Sequence, residues 1–261
     1  MQENVIAGEE AIIRTPPQRR TLRQRLAPLG SGVREVVLIA CLYVAYTSSR
    51  LLASNDKDAA VHRARELLRI ERAVRFNWEH PINDFFLRHD TLGLLGCFWY
   101  ATAHYIVTAA VLVWLYFKGR HAYLPARRAL MVATILALTL YLMLPTAPPR
   151  FLDGFTDVLA LHSDQGWWGA DASAPKGMGH LTNELAAFPS LHTGWSMWCA
   201  LVLHRHARWR TVRILGWLGA FTTAAVVVGT ANHWVLDVLV GWMVAFAGVV
   251  AVWEIAPKLP E

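Results

Sequence analysis

The chain has 261 residues, 55% of them hydrophobic and 17% charged, with a formal net charge of +6. A mean hydropathy of +0.31 excludes an ordinary soluble domain and fits a polytopic membrane protein. The positive charge lies in short linkers rather than on one face of a soluble domain, which argues against nucleic acid as a partner.

Residues 1–32 are polar and Arg-rich, with TPPQRR at 15–20, and are expected to form a disordered cytosolic tail. Arg19, Arg20, Arg23 and Arg25 either only set topology or also touch anionic lipid. The first apolar run starts near Val33, after this leader, and reads as a retained span rather than a signal peptide. A membrane span takes about 20 apolar residues. Six runs are candidates: 33–53, 92–117, 128–144, 190–204, 212–231 and 233–253. The fourth is short, and only Thr230-Ala231-Asn232-His233 separates the last two. The expected fold is an all-α bundle of six transmembrane helices over 33–256. Cys41, Cys97 and Cys199 fall inside apolar runs, without disulfide or zinc spacing, and read as small core side chains.

The linkers carry the topology. Segment 54–91 is mixed in charge, and 57–75 has a helical stripe of Val61, Ala64, Leu67, Leu68 and Val74 beside Arg63, Arg65, Glu66, Arg69, Glu71 and Arg72. It is expected to be an extracytoplasmic amphipathic helix that lies on the membrane or caps the bundle. Linkers 118–128 and 204–213 are short and basic, whereas 145–187 is acid-rich. The positive-inside rule then places both termini in the cytosol and 145–187 outside, as an active-site loop. Trp167 and Trp168 in that loop either shape a lipid entrance or anchor it at the interface.

Three segments carry chemistry, and this topology brings all of them to the outer face. In GTANHWVLDVLVG (229–241), His233 and Asp237 are four apart, a spacing that shares a helix face. A carboxylate there fixes an imidazole tautomer, or the two merely form a polar pair at a helix end. In FPSLHTGW (188–195), Pro189 and Ser190 suit a helix start whose amides cradle phosphate beside His192. The plainer description is a capped helix with an interfacial histidine. MLPTAPPRF (143–151) ends a span with prolines and sets Arg150 just outside the membrane. Arg150 there either forks phosphate oxygens or snorkels. Together, His192, His233, Asp237 and Arg150 suit phosphoester chemistry through a phosphohistidine. Two readings of another class also use these residues: a metal-dependent hydrolase with His192, His233 and Asp237 as ligands, and a transporter or scaffold with a proton-relaying histidine pair.

In order and spacing, the three segments resemble the signature of the type 2 phosphatidic acid phosphatase superfamily: an Arg-bearing first motif, PSxH, then HxxxD. PTAPPRF (145–151), PSLHTG (189–194), HWVLD (233–237), LLRIERAVRFNWE (67–79) and WYATAHY (99–105) look most like the branch of inositol phosphorylceramide synthase and its bacterial relatives. The resemblance implies a plasma-membrane enzyme acting on a phospholipid or lipid phosphate with neither metal nor cofactor. It implies His233 as nucleophile, Asp237 as its orienting group and His192 as general acid and base. Arg150, Ser190 and Leu191 would bind the phosphate. Thr146 and Thr193 read as supporting groups, and His104 either joins them or makes an interhelical hydrogen bond. Two cations of the phosphatase members are missing: Met143 stands where they have Lys, and Val226-Val227 where they have Ser-Arg. A phosphate monoester carries about two charges near neutral pH, a diester one, so the loss favours a diester donor and transfer of a head group such as phosphoinositol. The alternative is a lipid phosphatase releasing inorganic phosphate. Oligomeric state is left open.

Overall fold

The computed structural model describes residues 32–40, 44, 48, 56–168, 176, 184–185 and 187–255. The chain divides into two compact units, Met1–Ala45 and Tyr46–Glu261. In the first unit, α1 is helical over 32–40. The tail expected over 1–32 and most of the span expected over 33–53 lie outside the described residues.

The second unit is helical throughout its ordered elements. It runs α2 (Lys57–Ala73), α3 (Glu79–Arg88), α4 (Asp90–Lys118), α5 (Arg120–Met143), a 3-10 turn (Pro149–Phe151), α6 (Val158–Leu161), α7 (Leu191–His206), α8 (Arg210–Gly229), α9 (Val235–Val250) and a π turn (Ala251–Ile255). Among the described residues, four helices are long and apolar enough to cross a membrane: α4, α5, α8, and α9 with its extension to Trp253. They match the expected runs at 92–117, 128–144, 212–231 and 233–253. Helix α5 starts earlier than its apolar run, because the chain turns from α4 on the single residue Gly119. Its φ of +124° is a conformation that suits glycine.

The fourth expected span, α7, has 16 residues and so rises about 24 Å, short of a ~30 Å hydrocarbon layer. It is the central helix of the described bundle. It packs on α4, α5, α8 and α9, and Trp198, Ala200 and Val202 are wholly buried. A helix surrounded by others needs no uniformly apolar surface, so hydropathy alone reads it weakly. Around it, small residues bring backbones close. Ala126, Ala129, Ala133 and Ala137 line the buried side of α5, and a β-carbon on Gly248 would meet the Ala129 carbonyl and Ala133. Large apolar side chains such as Ile106, Phe117, Ile135 and Phe246 point outward.

Helix α2 caps the bundle. Ala60, Ala64 and Leu68 pack on Ala147, Leu185, Ala187 and Trp234. Arg63 Nε donates to the Pro145 carbonyl at 2.5 Å. One member of the charged face departs from expectation: Glu71 is fully buried. Asn83 of α3 pins the end of α8 to the loop between α5 and α6, donating to the Gly229 and Thr156 carbonyls at 2.8 and 3.0 Å.

Candidate active site

Backbone pairing draws the three motif segments together. Thr146 N donates to Leu185 O at 3.0 Å, Ala187 N to Thr146 O at 3.1 Å, and Arg150 N to Ala231 O at 3.1 Å. The start of α7 is tied to α9 by Ser190 N donating to Asp237 O at 3.1 Å. Thr193 reinforces this junction, its hydroxyl lying 3.1 Å from Ser190 O and 3.4 Å from Val238 O. The approach is so close that a β-carbon on Gly241 would collide with the Ser190 carbonyl and the Thr193 hydroxyl. Gly241→Val is therefore expected to force α7 off α9, at about 1–3 kcal/mol for overpacking. Thermal unfolding in detergent and turnover should fall together; an unchanged melting temperature would contradict this close packing.

His233 lies in the turn between α8 and α9, 4% exposed, rather than on the helix itself. Its Nδ1 is 2.8 Å from the Ala187 carbonyl. Burial, with the Arg150 charge beside it, lowers its pKa to about 4. The ring is thus neutral near pH 7, and a carbonyl only accepts, so Nδ1 carries the hydrogen. The lone pair is left on Nε2. Asp237 Oδ2 is 3.5 Å from Nδ1 and accepts a hydrogen bond from the Trp234 amide at 2.8 Å. Asp237 thus fixes the backbone next to the ring, while Ala187 fixes the tautomer. The Trp234 indole is locked by donating to Ala147 O at 2.9 Å.

His192, at the second position of α7, faces His233 with ring centroids 5.5 Å apart. Tyr100 stacks on His192 at 4.3 Å and 22°, and the His104 ring lies 4.0 Å away. Ser190 caps α7, its hydroxyl accepting from Thr193 N at 3.4 Å. The helix start offers the Leu191 amide, at the first helical position, without an intrahelical acceptor.

Arg150 is the cation of the site. Nη1 donates to Asn232 Oδ1 at 2.6 Å, and Nε is 3.2 Å from Asp157 Oδ2. Asn232 is held in turn by Thr230, its Nδ2 donating to the carbonyl and the hydroxyl at 3.1 Å each. The two positions where the phosphatase motifs carry further cations supply none: Met143 is 70% exposed, and Val227 is wholly buried.

Behind His233 stand two acids that the motif reading missed. The first amides of α9 are capped by distant carboxyls, Val235 N donating to Glu79 Oε1 at 2.9 Å and Leu236 N to Glu71 Oε1 at 2.7 Å. Both acids are fully buried. Burial first, then the charge of Glu79, pushes Glu71 up to about 9. The second oxygens, Glu71 Oε2 and Glu79 Oε2, lack any other partner. A proton held on Glu71 and donated to Glu79 satisfies both. Spacing contained the signal, since Ala60, Ala64, Leu68 and Glu71 recur at 4, 4 and 3 residues on one face.

Of the residues expected at the site, His192, His233, Asp237, Arg150, Ser190, Leu191 and Thr193 gather around the starts of α7 and α9. Thr146 acts through its backbone, and its hydroxyl donates to Leu144 O at 2.8 Å. His104 reaches the site through His192. Trp168 is buried and donates to Leu159 O at 2.9 Å, which does not suit an interfacial anchor, whereas Trp167 beside it is exposed. Among the described residues, no three His, Cys, Asp or Glu side chains converge to chelate a metal.

Comparison with curated proteins and with solved structures finds no match. A family model described as the PAP2 superfamily matches residues 65–251. That stretch begins within α2 and ends after α9, so it takes in the capping acids, the arginine, both histidines and Asp237; the chain belongs to the PAP2 superfamily.

Proposed function

We propose that the protein is an integral membrane enzyme that transfers a phospho-head group, such as phosphoinositol, between lipid substrates through a phosphohistidine on His233. The observation that carries this reading is the facing pair His192 and His233, 5.5 Å apart, with Arg150 tethered through the neighbouring Asn232. His233 Nε2 attacks phosphorus, and the bond to the leaving alkoxide breaks as His192 gives it a proton. His192 then takes a proton from the acceptor hydroxyl, which attacks the phosphohistidine and restores His233. Arg150 and the Leu191 amide neutralise the developing oxyanion charge. None of these steps calls for a metal or cofactor. The charge balance favours a diester: Arg150 is already paired with Asp157, and neither Met143 nor Val227 replaces the missing cations.

The active site is proposed to face the extracytoplasmic side of the plasma membrane, with both termini cytosolic. The basic stretches 118–128 and 204–213, which hold the α4–α5 and α7–α8 turns and the helix ends beside them, support that orientation.

The test offers the purified protein a mixed bacterial lipid extract plus phosphatidic acid, with His233→Ala alongside, and follows products by mass spectrometry and phosphate release. A new head-group-bearing lipid without free phosphate supports transfer. Free phosphate that disappears in the variant identifies a lipid phosphatase instead. Full biological activity of His233→Ala would favour a transporter or scaffold. Arg150→Lys keeps the charge and loses the fork between Asn232 and Asp157. Its kcat/KM is expected to drop about 10²–10³-fold, the scale of losing one preorganised oxyanion donor, and a drop of less than threefold would remove Arg150 from the site.

A further inference from the structure

Helix α4 gives the site a face that none of the three motif segments contains. Its buried stripe includes Cys97, Tyr100, His104 and Thr108, which recur every three or four residues on one side of the helix. Packing fixes this stripe at both ends. Cys97 Sγ donates to the Val158 carbonyl of α6 at 3.5 Å, and Thr108 Oγ1 lies 3.6 Å from Cys199 Sγ of α7. Between these ties, two rings of α4 reach His192. Tyr100 lies on it with centroids 4.3 Å apart and planes 22° from parallel, and His104 meets it at 4.0 Å and 58°. His104 in turn stands 6.0 Å from Trp195, whose indole donates to Thr134 Oγ1 of α5 at 3.0 Å.

Tyr100 is buried, and its ring also lies 6.5 Å from that of His233. It therefore stands beside both histidines, which face each other at 5.5 Å. His233 has its own anchor in the Ala187 carbonyl, 2.8 Å from Nδ1. His192 sits in the first turn of α7, where an imidazole can turn about two side-chain bonds. A nearly parallel ring at stacking distance favours one plane for it. Proton transfer depends on that plane, because a misplacement of about 1 Å can cost 10²-fold in rate.

We infer that Tyr100 is the positioning residue of His192: through its ring it holds the imidazole in the plane from which the leaving alkoxide is protonated and the acceptor hydroxyl deprotonated. The inference rests on the phosphohistidine reading above and adds the side chain that sets its proton-transfer geometry. The contact is made by the ring, so phenylalanine can replace tyrosine, and an aliphatic chain of similar size cannot.

The experiment compares Tyr100→Leu, Tyr100→Met and Tyr100→Phe with the parent, all full-length in detergent. The two ring-free variants guard against one of them failing to fold. A lipid phosphodiester with an alkoxide leaving group needs all of the work done by His192. With it, Tyr100→Leu and Tyr100→Met should lose about 10–10²-fold in kcat while KM stays within about threefold, and Tyr100→Phe should recover most of the loss. A phosphodiester with p-nitrophenol as leaving group isolates the first step. His233 Nε2 attacks phosphorus, the phosphorus–oxygen bond breaks, and p-nitrophenolate departs with the electron pair and needs no proton. The ring-free variants should then release their first equivalent of p-nitrophenol at a rate within about threefold of the parent and turn over slowly afterwards. A readout independent of turnover is the NMR spectrum of histidine-labelled protein, with His192 assigned by its loss in His192→Ala. The His192 ring protons should be shifted upfield by the stacked ring in the parent and in Tyr100→Phe, and not in the ring-free variants.

The inference is overturned by ring-free variants whose kcat stays within about threefold of the parent, or by a first release slowed as much as kcat. A Tyr100→Phe protein as poor as Tyr100→Leu, or a parent without the upfield shift, would overturn it as well. The two readings fail apart. A stacked His192 in a protein that turns over no phosphoester removes the reaction and the positioning role with it. Phosphoester turnover that ignores Tyr100 removes only the positioning role.

Discussion

His233→Ala is expected to lower turnover by about 10⁴–10⁶-fold, the scale seen when a covalent nucleophile is removed, while the protein stays folded. The asymmetry follows from the contacts. Structurally, His233 contributes one hydrogen bond, from Nδ1 to the Ala187 carbonyl, which is worth about 0.5–1.5 kcal/mol net. Chemically, its Nε2 carries the lone pair left free by the Nδ1 contact, and alanine has no nucleophile to offer. With a pKa of about 4, His233 stays unprotonated down to mildly acidic pH, so its own titration does not limit the rate above about pH 5. His192→Ala should cost less, about 10²–10⁴-fold, because it moves protons rather than forming the covalent bond. Rates for both variants, with melting temperatures as the control, check the assignment. The nucleophile would be falsified if His233→Ala kept turnover within tenfold of the parent, and the roles would be reversed if His192→Ala were the more damaging change.

How far the sequence reveals this arrangement differs from element to element. Helices α4, α8 and α9 are legible because lipid-facing helices must be apolar over a fixed length, and their runs end within about two residues of the observed helices. Helix α7 is harder to read, since burial among four helices removes the demand for length and uniform apolarity. The site histidines are legible because their motifs sit at helix starts, where local spacing fixes position. Their partners are less so. Ala187 acts through a carbonyl, which no residue type announces. Asn232 and Asp157 reach Arg150 only once 145–157 folds back onto the α8–α9 turn. The expected helical pairing of His233 with Asp237 is looser than spacing suggests, because α9 starts after His233 and spends the Asp237 carboxylate on capping. Glu71 and Glu79 show the general difficulty best. A glutamate on an amphipathic helix ordinarily faces water, and only the docking of α2 and α3 against α9 turns these two inward.

That inward pair makes the second large expectation, one of stability. In the folded protein Glu71 holds its proton up to about pH 9, against a usual value of 4.5. Between those values the unfolded chain has lost the proton and the folded chain has kept it. Stability is therefore full below about pH 4.5 and declines as pH rises, until Glu71 ionises in the folded state near 9. Ionisation there would put an uncompensated buried charge against the start of α9, and the turn that carries His233 would loosen. Glu71→Gln reproduces the protonated acid: its carbonyl oxygen accepts from Leu236 N, and its amide donates to Glu79. The variant should melt at or above the parent at pH 8–9 and show a flatter dependence on pH. Glu71→Ala and Glu79→Ala each strand a buried amide, and their partner carboxyl, at about 1–3 kcal/mol per unsatisfied group. Both should lower the melting temperature and, because the freed residues are Val235 and Leu236, turnover as well. A parent melting temperature that stays flat from pH 5 to 9, or a Glu71→Gln protein as damaged as Glu71→Ala, would mean that Glu71 is not the proton holder and that α9 is anchored by other contacts.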